Sequence, residues 1–182
     1  GAFGPSIVGV VLTYRYGGKR SGKELWSRLL DPRRIPLRWM ALILVLFPAL
    51  AGAGGLIDAA IGGDVPAWDT ATLSSPLSLL GFLVLMVLGG PLAEELGWRG
   101  FALDRLQSRR SALAASIILG VVWGVWHVPL FLIEGTSQAE MALGGVSSWL
   151  WLLQVVALSV IYTWIYNHTD RSVLSAFLLH FM

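Results

Sequence analysis

Two adjacent glutamates and an arginine interrupt an otherwise apolar stretch of the chain. The segment from residue 90 to residue 103 reads GPLAEELGWRGFAL, and no charged residue lies between Leu77 and Glu94. On an α-helix, Glu95 and Arg99 are four residues apart, so they lie on nearly the same face and can form an ion pair. Glu94 points about 100° away from Glu95. We therefore predict that Glu95 and Arg99 stabilise each other, whereas Glu94 faces the protein interior without a partner of this kind.

Two histidines in other apolar segments are the polar residues best able to join Glu94. His127 lies in VVWGVWHVPLF and His180 lies in SVLSAFLLHFM, both away from the expected helix ends. A carboxylate and two neutral imidazoles from three helices suit either zinc binding or the activation of water. An ion or proton relay and purely structural contacts between helices are the alternatives that these residues leave open.

The surroundings of the histidines predict different roles for them. Trp123 precedes His127 by one turn on the same helix face and could orient the imidazole ring. Pro129 removes a backbone donor, which favours a kink beside His127. His168 differs, because it lies next to Asp170 in a predicted polar turn. We expect the His168 side chain to be exposed to solvent.

Other common catalytic arrangements are absent from the sequence. There is no HExxH motif and no GxSxG motif. The chain contains no cysteine, which excludes a thiol nucleophile, a cysteine-based metal site and a disulfide framework. The polar residues of the apolar segments are therefore the main candidates for chemistry.

The elements that position these residues are expected to be membrane-spanning helices. Hydrophobic residues make up 55% of the 182 residues and charged residues only 13%, about half of the fraction usual in soluble domains. Apolar stretches of about 18 or more residues predict spanning helices. We predict an all-α, polytopic transmembrane helix bundle with about six spans, which forms a single transmembrane domain over residues 1–182. The spans are expected at about Gly1 to Tyr14, Leu37 to Ile61, from Pro76, Ala112 to Glu134, Val146 to Asn167, and from Ser172.

The first and last of these spans are too short to cross a membrane. The first has about fourteen apolar residues and the last about eleven, where roughly twenty are needed. We therefore expect both terminal spans to be truncated parts of a longer chain.

The basic residues cluster in a way that is typical of membrane topology. Eight of the thirteen lie between Arg15 and Arg38, and four more lie between Arg99 and Arg110. Basic loops stay on the cytoplasmic side, so we predict a multi-pass protein of the cell membrane. Topology and contact with the lipid bilayer explain this clustering, which argues against nucleic-acid binding.

Three segments resemble the motifs of one family in the order in which that family has them. EELGWRGFAL resembles the EExxxR motif of the CPBP family, the CAAX-protease and bacteriocin-processing intramembrane proteases related to the eukaryotic Ras-converting enzyme. WGVWHVPLF resembles the FxxxH motif, with Trp123 at the position of the phenylalanine. NHTDRSVLSAFLLH resembles the third motif, which leads to a histidine. The resemblance covers residues from about 76 to 182, which would form the protease core.

The resemblance implies an intramembrane endopeptidase that hydrolyses a membrane-associated or prenylated peptide or protein. Glu94 matches the glutamate that activates the hydrolytic water, and Glu95 and Arg99 match the accompanying acid and base. His127 and His180 match two histidines that act either as metal ligands or as groups that position water and stabilise an oxyanion. In the first case Glu94, His127 and His180 would hold zinc. A further Asn or Asp of the motif, four residues after the last histidine, falls beyond the end of the given sequence.

Two other functions are compatible with the same residues. A non-proteolytic member of the family would serve in bacteriocin self-immunity or in scaffolding. A small ion-coupled transporter would use the carboxylates as proton sites, but the chain lacks the paired broken spans typical of that class. A protease is therefore the expectation tested below.

Overall fold

The computed structural model describes residues 2–63, 75–141 and 143–182. All regular secondary structure in these ranges is helical, which confirms the predicted all-α class. A π-helical turn covers Trp98–Ala102, and 3₁₀ turns cover Pro32–Arg34 and Val128–Leu132. The α-helices are α1 Gly4–Leu30, α2 Leu37–Ala60, α3 Pro76–Gly89, α4 Pro91–Gly97, α5 Leu103–Gln107, α6 Ala112–Trp126, α7 Val146–His168 and α8 Val173–Phe181.

Four stretches of the described chain are long and apolar enough to cross a membrane. They are Leu37–Ala60, Pro76–Gln107, Ala112–Leu132 and Val146–His168. These stretches correspond to the second to fifth predicted spans, so the chain is a membrane protein. The first and sixth predicted spans fall on α1 and α8, which are not among the four, and the count of six is therefore not fully confirmed. Residues 64–74, between the second and third predicted spans, lie outside the described residues.

The stretch Pro76–Gln107 consists of three short α-helices and a π-helical turn instead of one regular helix. Gly90 interrupts it with φ of −107° and ψ of −100°, and Pro91 begins the next helix. Helical structure continues past Arg99 to Gln107, although it passes through a π-helical turn. Six of the seven residues of α4 are buried, including both glutamates. The interruption at Gly90 thus begins a helix that lies inside the bundle.

Helix α8 packs against α1, α2, α4 and α7. Ser172 caps its first turn by accepting a hydrogen bond from the backbone N–H of Ser175. Val173 packs in the core beside α1 and α4, whereas Leu179 packs in the core beside α2, α6 and α7. His180 follows Leu179 and is therefore carried next to α4.

Helices α1 and α4 cross so closely that only glycine fits at the contact. A Cβ atom on Gly9 would lie 2.6 Å from the Cα of Gly97 and 2.8 Å from the carbonyl oxygen of Leu96. A Cβ atom on Gly97 would lie 2.2 Å from the carbonyl oxygen of Pro5. Because these neighbours are backbone atoms, they cannot move aside as a flexible side chain would. The position of α1 on the site helix α4 therefore depends on this pair of glycines.

The Gly9→Ala variant is expected to lose about 1–3 kcal/mol of stability, because an added methyl group in a packed contact forces the helices apart. Thermal unfolding in detergent measures this loss. Gly52→Ala is the matched control, since Gly52 also lies within a helix but has no atom within 4 Å of its Cβ position. An equal midpoint for both variants would contradict the close crossing.

A polar cluster centred on Arg28 joins the other end of α1 to the site segment. Arg28 is 7% exposed, and its guanidinium donates to Asp104 Oδ2 at 2.8 Å and to the Tyr166 hydroxyl. It also donates to two backbone carbonyl oxygens, that of Arg171 at 2.8 Å and that of Arg99 at 3.1 Å. Tyr166 and Arg171 in turn donate to Asp104 Oδ1, both at 2.6 Å. Burial alone would lower the pKa of Arg171, but its pairing with Asp104 raises the pKa above the ordinary value. The cluster holds the backbone of the π-helical turn that carries Arg99.

Candidate active site

Glu94 lies in α4 with its carboxylate held by two indole groups. It is 6% exposed, and Oε2 accepts hydrogen bonds from Trp98 Nε1 at 3.0 Å and from Trp123 Nε1 at 2.5 Å. The partner of Glu94 within its own segment is thus the neutral indole of Trp98, and not an ion-pair partner of the kind that Arg99 provides for Glu95. Trp98 follows Glu94 by four residues and lies on the same helix face. A buried carboxylate needs such donors, because removing it from water without hydrogen bonds is costly.

His127 caps the end of α6 and lies beside the other oxygen of Glu94. Its Nε2 atom is 3.8 Å from Glu94 Oε1, and its Nδ1 atom is 2.8 Å from the carbonyl oxygen of Trp123. Trp123 therefore does contact the imidazole as predicted, through its backbone carbonyl as well as through its ring. The kink expected near Pro129 is an end of the α-helix at Trp126, after which the chain continues as a 3₁₀ turn.

The protonation of His127 Nδ1 follows from its partner. A carbonyl oxygen only accepts hydrogen bonds, so Nδ1 must carry the hydrogen and donate it to Trp123. In the neutral imidazole, Nε2 is then an acceptor that lies near the Glu94 carboxylate. Two acceptors this close can bind the two hydrogens of one water molecule.

Glu94 and His127 share a cavity of about 810 Å³. Most of the residues lining it are apolar, and they include Val122, Val125 and Ile133. These three residues are also 48%, 58% and 51% exposed. The cavity therefore presents exposed apolar residues of α6 and of the segment that follows it.

Glu95, Arg99 and His180 form a second cluster, which is more deeply buried. Glu95 and Arg99 are both 0% exposed, and Arg99 Nη1 donates to both carboxylate oxygens of Glu95 at 2.9 and 3.1 Å. The predicted ion pair is thus confirmed. His180 Nδ1 lies 2.8 Å from Glu95 Oε1, so His180 pairs with Glu95 and not with Glu94. An ionised carboxylate only accepts hydrogen bonds, so Nδ1 of His180 must carry the hydrogen.

Two aromatic rings enclose the Arg99 guanidinium. Its central carbon is 4.6 Å from the ring centre of Trp123 and 4.5 Å from that of Tyr162, distances typical of cation–π contacts. Arg99 Nε and Nη2 have no hydrogen-bond partner within the described chain. Arg99 is therefore held by one carboxylate and two ring faces.

The free edge of His180 points toward the break between α3 and α4. Its Nε2 atom would lie 3.4 Å from a Cβ atom on Gly90, a residue that has none. The neighbouring Gly89 lines the cavity that contains Glu94. The His180 ring edge thus lies beside Gly90, the residue that follows Gly89 in the chain.

The predicted zinc ligands do not form a three-ligand set. His180 directs Nδ1 at Glu95, while only Glu94 and His127 are adjacent to each other. No group of three or more histidine, aspartate or glutamate side chains in the described ranges is arranged to hold a metal ion. A catalytic zinc site needs three protein ligands, so these donors do not fit one as they stand. Zinc binding stays a prediction.

Outside the site, His168 is exposed as predicted, and its ring lies 4.9 Å from that of Trp39. Sequence reasoning missed the indole donors of Trp98 and Trp123. The spacing of four residues between Glu94 and Trp98 was a signal that could have identified one of them.

Comparisons with known proteins give consistent results. Residues 76–182 match a family model described as type II CAAX prenyl endopeptidase Rce1-like. The chain is also similar to CAAX prenyl protease 2 of Methanococcus maripaludis. The two are 30% identical over 186 residues, which cover 100% of this chain and 68% of the relative. The matched region contains all five predicted site residues.

Proposed function

This chain belongs to the Rce1-like family of CAAX prenyl endopeptidases, and we propose that it hydrolyses a peptide bond of a prenylated or otherwise membrane-associated protein. The observation that carries the proposal is the pairing of Glu94 Oε1 with His127 Nε2, 3.8 Å apart, in one apolar cavity. A water bound between these atoms would be next to any substrate in the cavity. The protein would act as a multi-pass enzyme of the cell membrane.

Glu94 acts as the general base in this mechanism. It takes one proton from the bound water, while neutral His127 accepts a hydrogen bond from the other hydrogen and fixes the orientation of the oxygen. The oxygen attacks the peptide carbonyl carbon and forms a tetrahedral intermediate. Glu94 then returns the proton to the amine as the carbon–nitrogen bond breaks. General acid–base catalysis of this kind contributes about 10²–10⁴-fold.

His180 stabilises the negative charge that develops on the substrate carbonyl oxygen in the tetrahedral intermediate. Glu95 accepts the hydrogen bond from His180 Nδ1, so a second proton on Nε2 would make the ring a cation adjacent to a carboxylate. The Nε2–H group would then donate to the oxyanion from the side of Gly90. The role of Arg99 is to hold Glu95, and through it His180, in position. Donors that are fixed before the reaction stabilise such an oxyanion without reorganisation.

The surface of the cavity supports a lipid-linked substrate. Val122 and Val125 line it and are exposed on the outer face of α6, where the membrane would lie. An isoprenoid chain could therefore reach the cavity from the hydrocarbon region without crossing water. A peptide without such a chain would have to leave water to enter the same opening.

The experiment is a cleavage assay with the purified protein in lipid vesicles. The substrates are a farnesylated CAAX peptide and the same peptide with the cysteine unmodified, and mass spectrometry identifies the bond that breaks. We expect cleavage of the farnesylated peptide and at least tenfold slower cleavage of the other, since burial of the chain contributes about 0.8 kcal/mol for each CH₂ group. No cleavage of either peptide would favour a non-proteolytic role.

A further inference from the structure

We propose that Trp123 is a positioning residue for the reaction, because its indole N–H holds the Glu94 carboxylate in the orientation that the general base requires. The inference rests on the proposed function of Glu94. It assigns to Trp123 a role that depends on one hydrogen, and this role is separate from the packing of the ring.

The two oxygens of Glu94 have different partners. Oε2 accepts from both Trp98 Nε1 and Trp123 Nε1, whereas Oε1 lies beside His127 Nε2. Two donors from different helices fix the plane of the carboxylate as well as its position. Oε1 is consequently the oxygen directed at the bound water. Without the donors, rotation about the last side-chain bond would exchange the two oxygens.

Trp123 is the more deeply buried of the two donors. Its bond to Glu94 is 2.5 Å long, against 3.0 Å for Trp98, and Trp123 is 5% exposed. It also comes from α6, the helix that ends at His127. The bond from Trp123 therefore fixes Glu94 relative to His127, which a donor on the helix of Glu94 cannot do.

The ring of Trp123 also lies between the two clusters of the site. Its centre is 5.6 Å from that of His180 and 6.1 Å from that of His127, and one face contacts the Arg99 guanidinium. These contacts are made by the ring alone. The motif that this segment resembles has phenylalanine at the same position, so an aromatic ring without an N–H group is compatible with the motif. The indole N–H is what this chain adds.

The test removes the N–H and keeps an aromatic ring. In Trp123→Phe, we expect kcat to fall about tenfold to a hundredfold, the range expected for the loss of a hydrogen bond to a charged group. The KM for the farnesylated peptide should change little. The thermal midpoint should fall only by the loss of one of the two hydrogen bonds to Oε2, because Trp98 still donates to this oxygen. Replacement of Trp123 by 3-benzothienylalanine, which has sulfur in place of the N–H, is a second variant with the same ring shape. It should show the same loss of kcat even if the phenylalanine variant folds poorly.

Controls separate this inference from the proposed function. Trp149→Phe makes the same change at a residue of α7 that is 64% exposed, and it should leave kcat unchanged. A normal kcat in the benzothienyl variant, with Glu94→Gln inactive, would overturn the role of Trp123 and leave that of Glu94 intact. An active Glu94→Gln variant would instead overturn the proposed function. A loss confined to KM or to thermal stability would make Trp123 a packing residue only, which also contradicts the inference.

Discussion

Glu94→Gln is expected to reduce kcat for the farnesylated peptide by about 10²–10⁴-fold, the contribution typical of a general base. Glutamine has the same shape, and its side-chain oxygen can still accept from Trp98 and Trp123. It cannot take a proton from water at neutral pH. The KM for the peptide and the thermal midpoint of the variant should therefore stay close to those of the wild type. Initial rates in vesicles and thermal unfolding in detergent measure these quantities.

The matched control for this substitution is Glu140→Gln. Glu140 is exposed and lies outside the site, so its loss of charge should not change the rate. Substantial activity in Glu94→Gln would show that another group activates the water. Equal losses in both variants would point to a general effect of charge and not to a catalytic carboxylate.

Arg99→Leu is expected to destabilise the fold by about 3–5 kcal/mol, the cost of leaving one member of a buried ion pair without its partner. Glu95 is 0% exposed and, among the described residues, would retain only His180 as a side-chain hydrogen-bond partner. The variant would also lose the contacts of the guanidinium with Trp123 and Tyr162. Chemical unfolding in detergent, followed by tryptophan fluorescence, measures the change in free energy.

Two further variants separate the charge from the packing. Glu95→Gln combined with Arg99→Leu should recover part of the lost stability, because no unpaired charge then stays buried. Arg34→Leu breaks pairs with Glu24 and Asp170, which are 53% and 73% exposed. Exposed pairs contribute at most about 1 kcal/mol, so this loss should be small. A similar loss for Arg99→Leu and Arg34→Leu would contradict the importance of burial.

Features that depend on neighbouring residues were largely predictable from the sequence. The span predicted from Leu37 to Ile61 is observed as Leu37–Ala60, because its apolar residues and flanking prolines or glycines act locally. The Glu95–Arg99 pair follows from helical periodicity alone. The break at Gly90 also had a local signal, since a Gly-Pro pair commonly interrupts regular structure.

Contacts between helices were not predictable in the same way. Periodicity indicates which face of a helix is buried, but it does not identify the residue that meets that face. The sequence therefore predicts that His127 and His180 both lie near Glu94. The packing of the helices places His127 beside Glu94 and His180 beside Glu95. Trp123 is 29 positions from Glu94 in the sequence, and its indole donates to Glu94 from a different helix.

The positions of the tryptophan side chains were also not predictable from the sequence. Tryptophans near span ends, such as Trp39 and Trp151, fit an aromatic belt at the membrane interface. Trp39 is instead 8% exposed in the core, and the ring of Trp151 lies 5.6 Å from that of His127. Composition and position along a span indicate where a tryptophan is common. They do not show whether its side chain points to lipid or to the site.

The central claim is that Glu94 activates a water that attacks the peptide carbonyl directly. Single-turnover cleavage of the farnesylated peptide in H₂¹⁸O, followed by mass spectrometry of product and protein, tests it. The mechanism predicts one ¹⁸O atom in the new carboxylate of the product and none in Glu94. An unlabelled product with ¹⁸O in the Glu94 side chain would show that Glu94 itself attacked the substrate, and would contradict the mechanism.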